Sequence, residues 1–380
     1  MIVARHLFET SGTARVLTGL VETWVGIKHV DFFLAVPAKI PGEPAVLKHW
    51  KKRLIRVPGD LSKPGVWLEH MERECLALFP DRKVLVFYPN LQLPPKPSLP
   101  FVSLLHDVLS LHSPDYQLNP WKYFAYKREI RQHLQARAVA TVSNYSKEDL
   151  IRNFPAFAGK VQVIWNGVSK SFVPEKSKNQ KNSWRQKFGD RKYVLYVGDL
   201  RRRKNVYRLA EAFTRLPEKL TRDHVFAFTG EGPVRDKIKK LFLRTHLIHS
   251  LRDLGKVSEK ELPGLYRGAS LFVFPSLFEG FGLPILEAQA SGIPVVCGQN
   301  SSLPEITGNA AIFCNEKKAD SIKEAMQSVL ENKDLRKKLI SGGIANARRF
   351  SWSRSAMQYA ELFQREWKNL AAISKSGQSR

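Results

Sequence analysis

The chain has 380 residues, 43% of them hydrophobic and 25% charged, too long for one ordinary core, so two soluble domains are expected rather than a disordered or membrane-spanning chain. No apolar run reaches the roughly 18 residues of a membrane span, and the amino terminus lacks the charged-then-apolar pattern of a signal peptide. With 61 Lys+Arg against 35 Asp+Glu, the net charge of +26 favours anionic lipid, a phosphorylated substrate or nucleic acid, or serves solubility alone.

The chain opens with IVARHLFETSGTARVLTGLVETW, a strand, a turn at Gly12 and a helix. Two stretches then mix aromatic and cationic residues as an interfacial helix does: VLKHWKKRLIR at 46–56 and PWKYFAYKREIR at 120–131. Such a mixture docks on anionic lipid or binds single-stranded nucleic acid. Membrane contact is placed on the first, with Lys48, Lys51, Lys52 and Arg53 as its cations. Val84–Tyr88, Phe101–His106 and Ala138–Ser143 read as buried parallel strands. Tyr193–Gly198, His224–Gly230, Ser270–Pro275 and Ile293–Gly298 repeat the pattern, with helices such as Val206–Leu216 and Pro263–Arg267 between them. This alternation predicts an α/β protein of two Rossmann-like domains. The polar, lysine-rich stretch 173–192 separates them, giving domains over 1–175 and 190–350. Ala347–Leu370 is a helical pattern with apolar Met357, Ala360, Leu362 and Phe363, and SKSGQSR reads as a frayed tail. Cys75, Cys297 and Cys314 lack metal-ligand spacing and fit a reducing cytosol.

The densest chemistry lies in FVFPSLFEGFGLPILEAQASGIPVVCGQNSSLPEITGNAAIFCN, Phe272–Asn315. A strand runs into Gly280-Phe281-Gly282-Leu283-Pro284, and a helix opens at the proline. Pro there leaves no amide to satisfy, glycine lets backbone approach a ligand, and the helix N-terminus suits a diphosphate. Glu279 and Glu287 flank the loop and suit hydroxyls of a sugar and a ribose. A nucleotide sugar fits this pattern. Upstream, Arg201, Arg202, Arg203 and Lys204 follow a strand. A charge run is often a solvated face, but ligands of open α/β sheets bind at that end of a strand.

The order E-GFGLP-x-x-E, A-x-x-SG-x-PVV and S-x-LPE resembles the donor-site signature of retaining glycosyltransferase family 4, with the GT-B fold. YVGDLRRRKN (Tyr196–Asn205), LGKVSEKELPGLYRGAS (Leu254–Ser270), TVSNYSKEDL (Thr141–Leu150) and VIWNGVS (Val163–Ser169) resemble the same family. The resemblance implies two Rossmann-like domains facing each other across a cleft, the first taking the acceptor and the second the nucleotide sugar. It implies a helix over 351–372 that crosses back to the first domain, and an amphipathic structural helix at 120–131 competes there with the membrane reading. Arg203 and Lys204 match the diphosphate grip; Asp199 stands where many relatives carry an Arg. Glu287 would accept the ribose hydroxyls, or merely favour the helix N-terminus, and Glu279 would bind the transferred sugar. Val257 packs near the base, or is a strand-end core valine. In HDVLSLHSP, His106 matches the histidine over the donor sugar, against the ordinary reading of a capped core residue; His112 is the weaker candidate and Asp107 supports the loop. Gly12 allows close approach to the donor phosphate, although the family's second glycine is missing. Arg15 reaches an acceptor phosphate or faces solvent.

No Asp-x-Asp occurs in the sequence, so a metal-independent electrostatic clamp on the leaving diphosphate is expected, with no metal ligand and no cofactor. No covalent nucleophile presents itself opposite Glu279, and a same-face displacement fits. The expectation is a retaining hexosyltransferase, a mannosyltransferase using GDP-mannose, acting on a polyprenyl-linked or polysaccharide acceptor in O-antigen or lipopolysaccharide biosynthesis. It would work in the cytoplasm, peripheral on the inner face of the membrane. A UDP-hexose donor is the alternative; a sugar-nucleotide epimerase of the same fold and a basic nucleic-acid-binding protein are rivals of other classes. No nucleic-acid-binding motif supports the last.

Overall fold

Apolar runs without alternation form strands buried on both faces. In the computed structural model, which describes residues 1–380 apart from 10, 40–43, 81–83, 113–116, 176–182 and 377–380, they make two parallel sheets. The first contains β1 (Ile2–Val3), β2 (Leu34–Pro37), β3 (Leu54–Val57), β4 (Val86–Tyr88), β5 (Phe101–Leu104), β6 (Ala138–Thr141) and β7 (Val161–Val163), in the order β3-β2-β1-β4-β5-β6-β7. The second contains β8 (Lys192–Tyr196), β9 (His224–Phe228), β10 (Leu251–Asp253), β11 (Leu271–Phe274), β12 (Val295–Gly298) and β13 (Ile312–Cys314), in the order β10-β9-β8-β11-β12-β13. Both sheets reverse strand order once, between β1 and β4 and between β8 and β11. In a doubly wound sheet the carboxyl ends beside that reversal are where ligands bind.

The chain divides into one compact unit of Met1–Gly167 with Ser351–Arg380 and another of Val168–Phe350. Phe172 stands edge-on to Tyr266 with ring centroids 5.6 Å apart, so residues just past the division pack in the second unit. Much of the lysine-rich stretch, 176–182, lies outside the described residues.

The C-terminal helix Trp352–Ser376 belongs to the first unit. Trp24 Nε1 donates to Ala356 O at 3.1 Å, and Tyr359 and Phe363 pack on Trp24 and Phe87. Glycines make room for its first turn. A Cβ on Gly19 would lie 2.3 Å from the Trp352 indole, and one on Gly167 would lie 2.1 Å from Trp352 N. Ala347 ends the preceding helix, Lys333–Ala347, rather than starting this one. Ser374–Ser376 of the expected tail are helical and 377–380 lie outside the described residues.

The interfacial helix expected over 46–56 is not formed. Ala45–Arg53 is a 3₁₀ segment that runs straight into β3. Val46, Leu47 and Trp50 are buried, so the aromatic belongs to the core while Lys48, Lys51, Lys52 and Arg53 are exposed. Residues 120–132 do form a helix, capped by Asn119, whose Oδ1 accepts from Lys122 N. No helix among the described residues is long and apolar enough to cross a membrane.

Candidate functional site

In the second unit, β8 and β11 bring the basic run and the glutamate loop together at the strand-order reversal. Arg202–Lys204 form a 3₁₀ turn ended by Asn205, whose left-handed φ of 58° stops it and starts the helix Val206–Thr214. Asn205 Nδ2 then donates to Pro275 O at 3.2 Å and Glu316 O at 2.6 Å, tying the turn to the segments after β11 and β13. Leu277 N donates to Arg203 O at 2.8 Å, a second tie. Lys204 is buried over the Phe274 ring and its Nζ reaches Glu279 Oε1 at 2.6 Å. Arg203 Nη1 lies 3.4 Å from the same oxygen, while Arg201 and Arg202 are exposed. Asp199 Oδ2 sits 3.9 Å from both Arg201 Nε and Arg203 Nη2, so it adds an acid at the edge of the basic run.

Glu279 is buried, which pushes its carboxyl up, but the neighbouring Lys204 and Arg203 together outweigh burial and hold it below its ordinary value. It is therefore ionised at neutral pH. With Asp199 counted, Arg201, Arg203 and Lys204 face two carboxylates, three cations to two anions.

The loop beyond it is held by serines that had no role assigned from sequence. Ser301 Oγ accepts from Glu279 N at 3.0 Å, and Ser302 Oγ bonds Glu279 O and Phe281 O, each at 2.9 Å. Gly282 adopts φ 112°, which a side chain would resist, and delivers the chain into the helix Leu283–Ala290. Gly282 and Phe281 are buried, the latter against Phe350, while Leu283 and Pro284 are half-buried at the helix mouth. Glu287, one turn further, is buried and accepts from Tyr266 OH at 2.9 Å. That partner was invisible from sequence. Val257 is half-buried against the core of this unit.

In the first unit the matching position, where β1, β4 and β5 end, gathers histidines. His106 follows β5, half-buried, with Nε2 3.1 Å from Pro89 O. A carbonyl only accepts, so Nε2 carries the proton and Nδ1 is an acceptor. Burial draws the imidazolium of His106 down to about 4, against the Pro89 carbonyl and with help from nearby His6. His106 is neutral at physiological pH. His6, which follows β1, bonds Glu9 Oε1 at 2.8 Å through Nδ1 and Asn90 through Nε2. This His6–Asn90 contact was missed, because the two residues follow different strands and lie 84 apart in the chain. His112 Nε2 lies 2.8 Å from the buried Asp149 Oδ2, a structural engagement, and Asp107 Oδ1 accepts from Leu109 N at 3.0 Å.

Gly12 begins the helix Gly12–Trp24, capped by Ser11, whose Oγ accepts from Ala14 N. A Cβ on Gly12 would meet nothing within 4 Å, so packing does not demand glycine there. Arg15 is half-buried on the first turn. A cavity of ≈ 670 Å³ in this unit, lined by Phe32, Phe33, Phe87, Phe363 and Trp367, opens at the amino ends of β1, β2 and β4, the end of the sheet opposite His106. Among the described residues no group of three or more His, Cys, Asp or Glu is arranged to hold a metal ion.

Comparison with known proteins bears on the chemistry. The family model for Glycosyl transferases group 1 matches residues 178–345, and that for Glycosyltransferase Family 4 matches 84–172. The O-antigen chain mannosyltransferase B of Escherichia coli is 31% identical over 301 residues, covering 77% of each chain. Sucrose-phosphate synthase from Thermosynechococcus elongatus matches in structure with a TM-score of 0.74 at 21% identity, covering 97% of this chain and 98% of that one. Anabaena HepE in complex with UDP and glucose matches with a TM-score of 0.74 at 17% identity, covering 96% and 98%. The chain belongs to this family of glycosyltransferases, has the GT-B fold, and transfers a sugar from a nucleotide-sugar donor to an acceptor.

Proposed function

We propose that the chain is a retaining, metal-independent hexosyltransferase that uses a UDP-hexose and glycosylates a lipid-linked or polysaccharide acceptor of a cell-surface glycan. The observation that carries the reading is the Arg203–Lys204–Glu279 cluster at the β8/β11 reversal, beside the N-terminus of Leu283–Ala290. Negative charge grows on the departing diphosphate, and preorganised cations and amides stabilise it without a metal. The acceptor oxygen attacks the anomeric carbon as the bond to the phosphate oxygen breaks. The acceptor's proton passes to that leaving phosphate, and attack on the same face retains configuration. Glu279 then serves the sugar hydroxyls and Glu287 those of the ribose. His106, neutral and with Nδ1 as acceptor, takes a hydrogen bond from a hydroxyl of the transferred sugar rather than acting as an acid.

UDP-hexose stands first because HepE, solved with UDP and glucose, aligns along almost the whole chain. GDP-mannose is the second reading, favoured by the name of the E. coli relative, an O-antigen chain mannosyltransferase. A thermal-shift panel of UDP, GDP, ADP and their hexoses separates them. The true donor nucleotide at 100 times its Kd adds about 2.7 kcal/mol. Stabilisation by GDP and not UDP would reverse the order of the two. Donor turnover to a new sugar nucleotide without any acceptor would instead indicate an epimerase.

A further inference from the structure

Leu118, Trp121 and Phe124 are 84%, 87% and 65% exposed, the three most exposed large apolar side chains among the described residues. They are not scattered. Trp121 and Phe124 are three apart on the first turns of the helix Pro120–Gln132, so they share one face, and Leu118 lies in the turn just before it. The opposite face is occupied, since Tyr126 and Ile130 are buried in the first unit's core and Tyr123 packs against it. The helix is thus anchored by one side and offers the other to solvent.

Charge says what covers that side. Lys122, Arg128 and Arg131 are exposed on the same helix, the last with its guanidinium 5.9 Å from the Phe154 ring centroid, and Glu129 is the sole acid of the helix. Lys127 lies with its Nζ 4.9 Å from the Tyr123 ring centroid, adding a fourth cation at the flank. A second copy of a chain with net charge +26 would be repelled from this face. An anionic lipid surface meets both needs. Trp and Phe seat at the headgroup boundary while Lys and Arg face the phosphates. We propose that the face of Pro120–Gln132 carrying Leu118, Trp121 and Phe124 seats the first unit on an anionic membrane surface. The inference deepens the proposed use of a lipid-linked acceptor, whose reacting end is reached from such a surface.

The test is co-sedimentation of the full chain with phosphatidylcholine vesicles, with and without phosphatidylglycerol, in the absence of donor and acceptor. The chain should bind the anionic vesicles and be released as salt rises. Trp121→Ser with Phe124→Ser should weaken partition at least about tenfold. Lys122→Gln, Arg128→Gln and Arg131→Gln together should weaken it about 100-fold, roughly fivefold per cation. All five positions are exposed, and an unchanged thermal shift with donor nucleotide confirms that each variant is folded. Equal binding to neutral vesicles, or variants that bind like the parent, would overturn the proposal. So would loss of binding only on replacing Lys48, Lys51, Lys52 and Arg53, or self-association that disappears with Trp121→Ser while vesicle binding persists. Intact vesicle binding with no transfer to any lipid-linked acceptor would count against the acceptor and not against this surface.

Discussion

Replacing Lys204 by Met should cost the protein both stability and turnover, and the two losses can be separated. Lys204 Nζ and Glu279 Oε1 are 2.6 Å apart and both side chains are buried. At an effective dielectric of ~20 that attraction is ~6 kcal/mol, much of it cancelled by desolvation of two ions. Removing only the cation leaves a buried carboxylate whose remaining partner, Arg203, is 3.4 Å away and more exposed. The net loss should therefore sit at the low end for a broken buried pair, about 3 kcal/mol. For a domain of this size that is a fall in Tm of ~6–12 °C. The deficit should shrink as pH falls, because Glu279, freed of its main cation, takes up a proton more readily in the folded state than in the unfolded one. Lys204→Met combined with Glu279→Gln removes both charges and should recover most of the stability, while turnover stays down by ~10²–10³. Urea and thermal unfolding of the three proteins, with steady-state rates, decide it. A single variant as stable as the parent would refute the buried pair, and a double variant with restored turnover would reduce Lys204 to a structural cation.

Glu287→Ala should raise the Kd for the donor nucleotide about 5- to 150-fold by calorimetry, since polar groups left unpaired cost about 1–3 kcal/mol. Tyr266→Phe, which removes only the phenol that donates to Glu287 at 2.9 Å, should leave that Kd within about threefold; unchanged affinity in Glu287→Ala would remove the residue from the site. Transfer should survive EDTA, and a loss restored by added Mg²⁺ or Mn²⁺ would contradict the cationic clamp. Stability should fall on acidification from pH 6.5 toward 4, because buried His133, satisfied as a neutral ring by Ser103 Oγ and Leu91 O, is drawn down to about 4 by burial. In that window the unfolded chain holds a proton the folded chain lacks, worth up to ~3 kcal/mol. Urea midpoints at several pH values would show it, and His133→Asn should lower the slope there, leaving the part that His106, also drawn down to about 4, contributes.

The two Rossmann-like units were legible because β5, β6, β9, β11 and β12 are buried on both faces, leaving unbroken apolar runs. Their ends were less so. His106 and Gly198 continue the apolar runs of Phe101 and Tyr193 in composition but lie beyond β5 and β8. The basic-aromatic stretches show what composition hides. Trp50 and Trp121 both stand among lysines, yet one is 1% exposed and the other 87%. Phase carried the distinction. Tyr123, Tyr126 and Ile130 recur at helical spacing and claim the inner face, which leaves Trp121 and Phe124 outside. In 46–53 the spacing of Val46, Leu47 and Trp50 puts the tryptophan itself on the inner face.

At the site, sequence named Arg203, Lys204, Glu279 and Glu287 by type and position and favoured a ligand for each, with a solvated face or a helix N-terminus contact as the alternatives. The structure pairs the first three with one another and the last with Tyr266. Partners 75 and 21 residues apart in the chain have no local signature, and nor do Ser301 and Ser302, which hold the loop through its backbone. Pairing changes the energetics of binding. An anion entering beside Lys204 does not meet bare cations; it competes with a carboxylate already in place. A monoanion would gain little by that exchange. A diphosphate brings more than one charge to the two cations and the Leu283–Ala290 amides together, and its sugar brings hydroxyls that Glu279 can accept as its hold on Lys204 loosens. The cluster thus favours a ligand carrying both groups over phosphate alone.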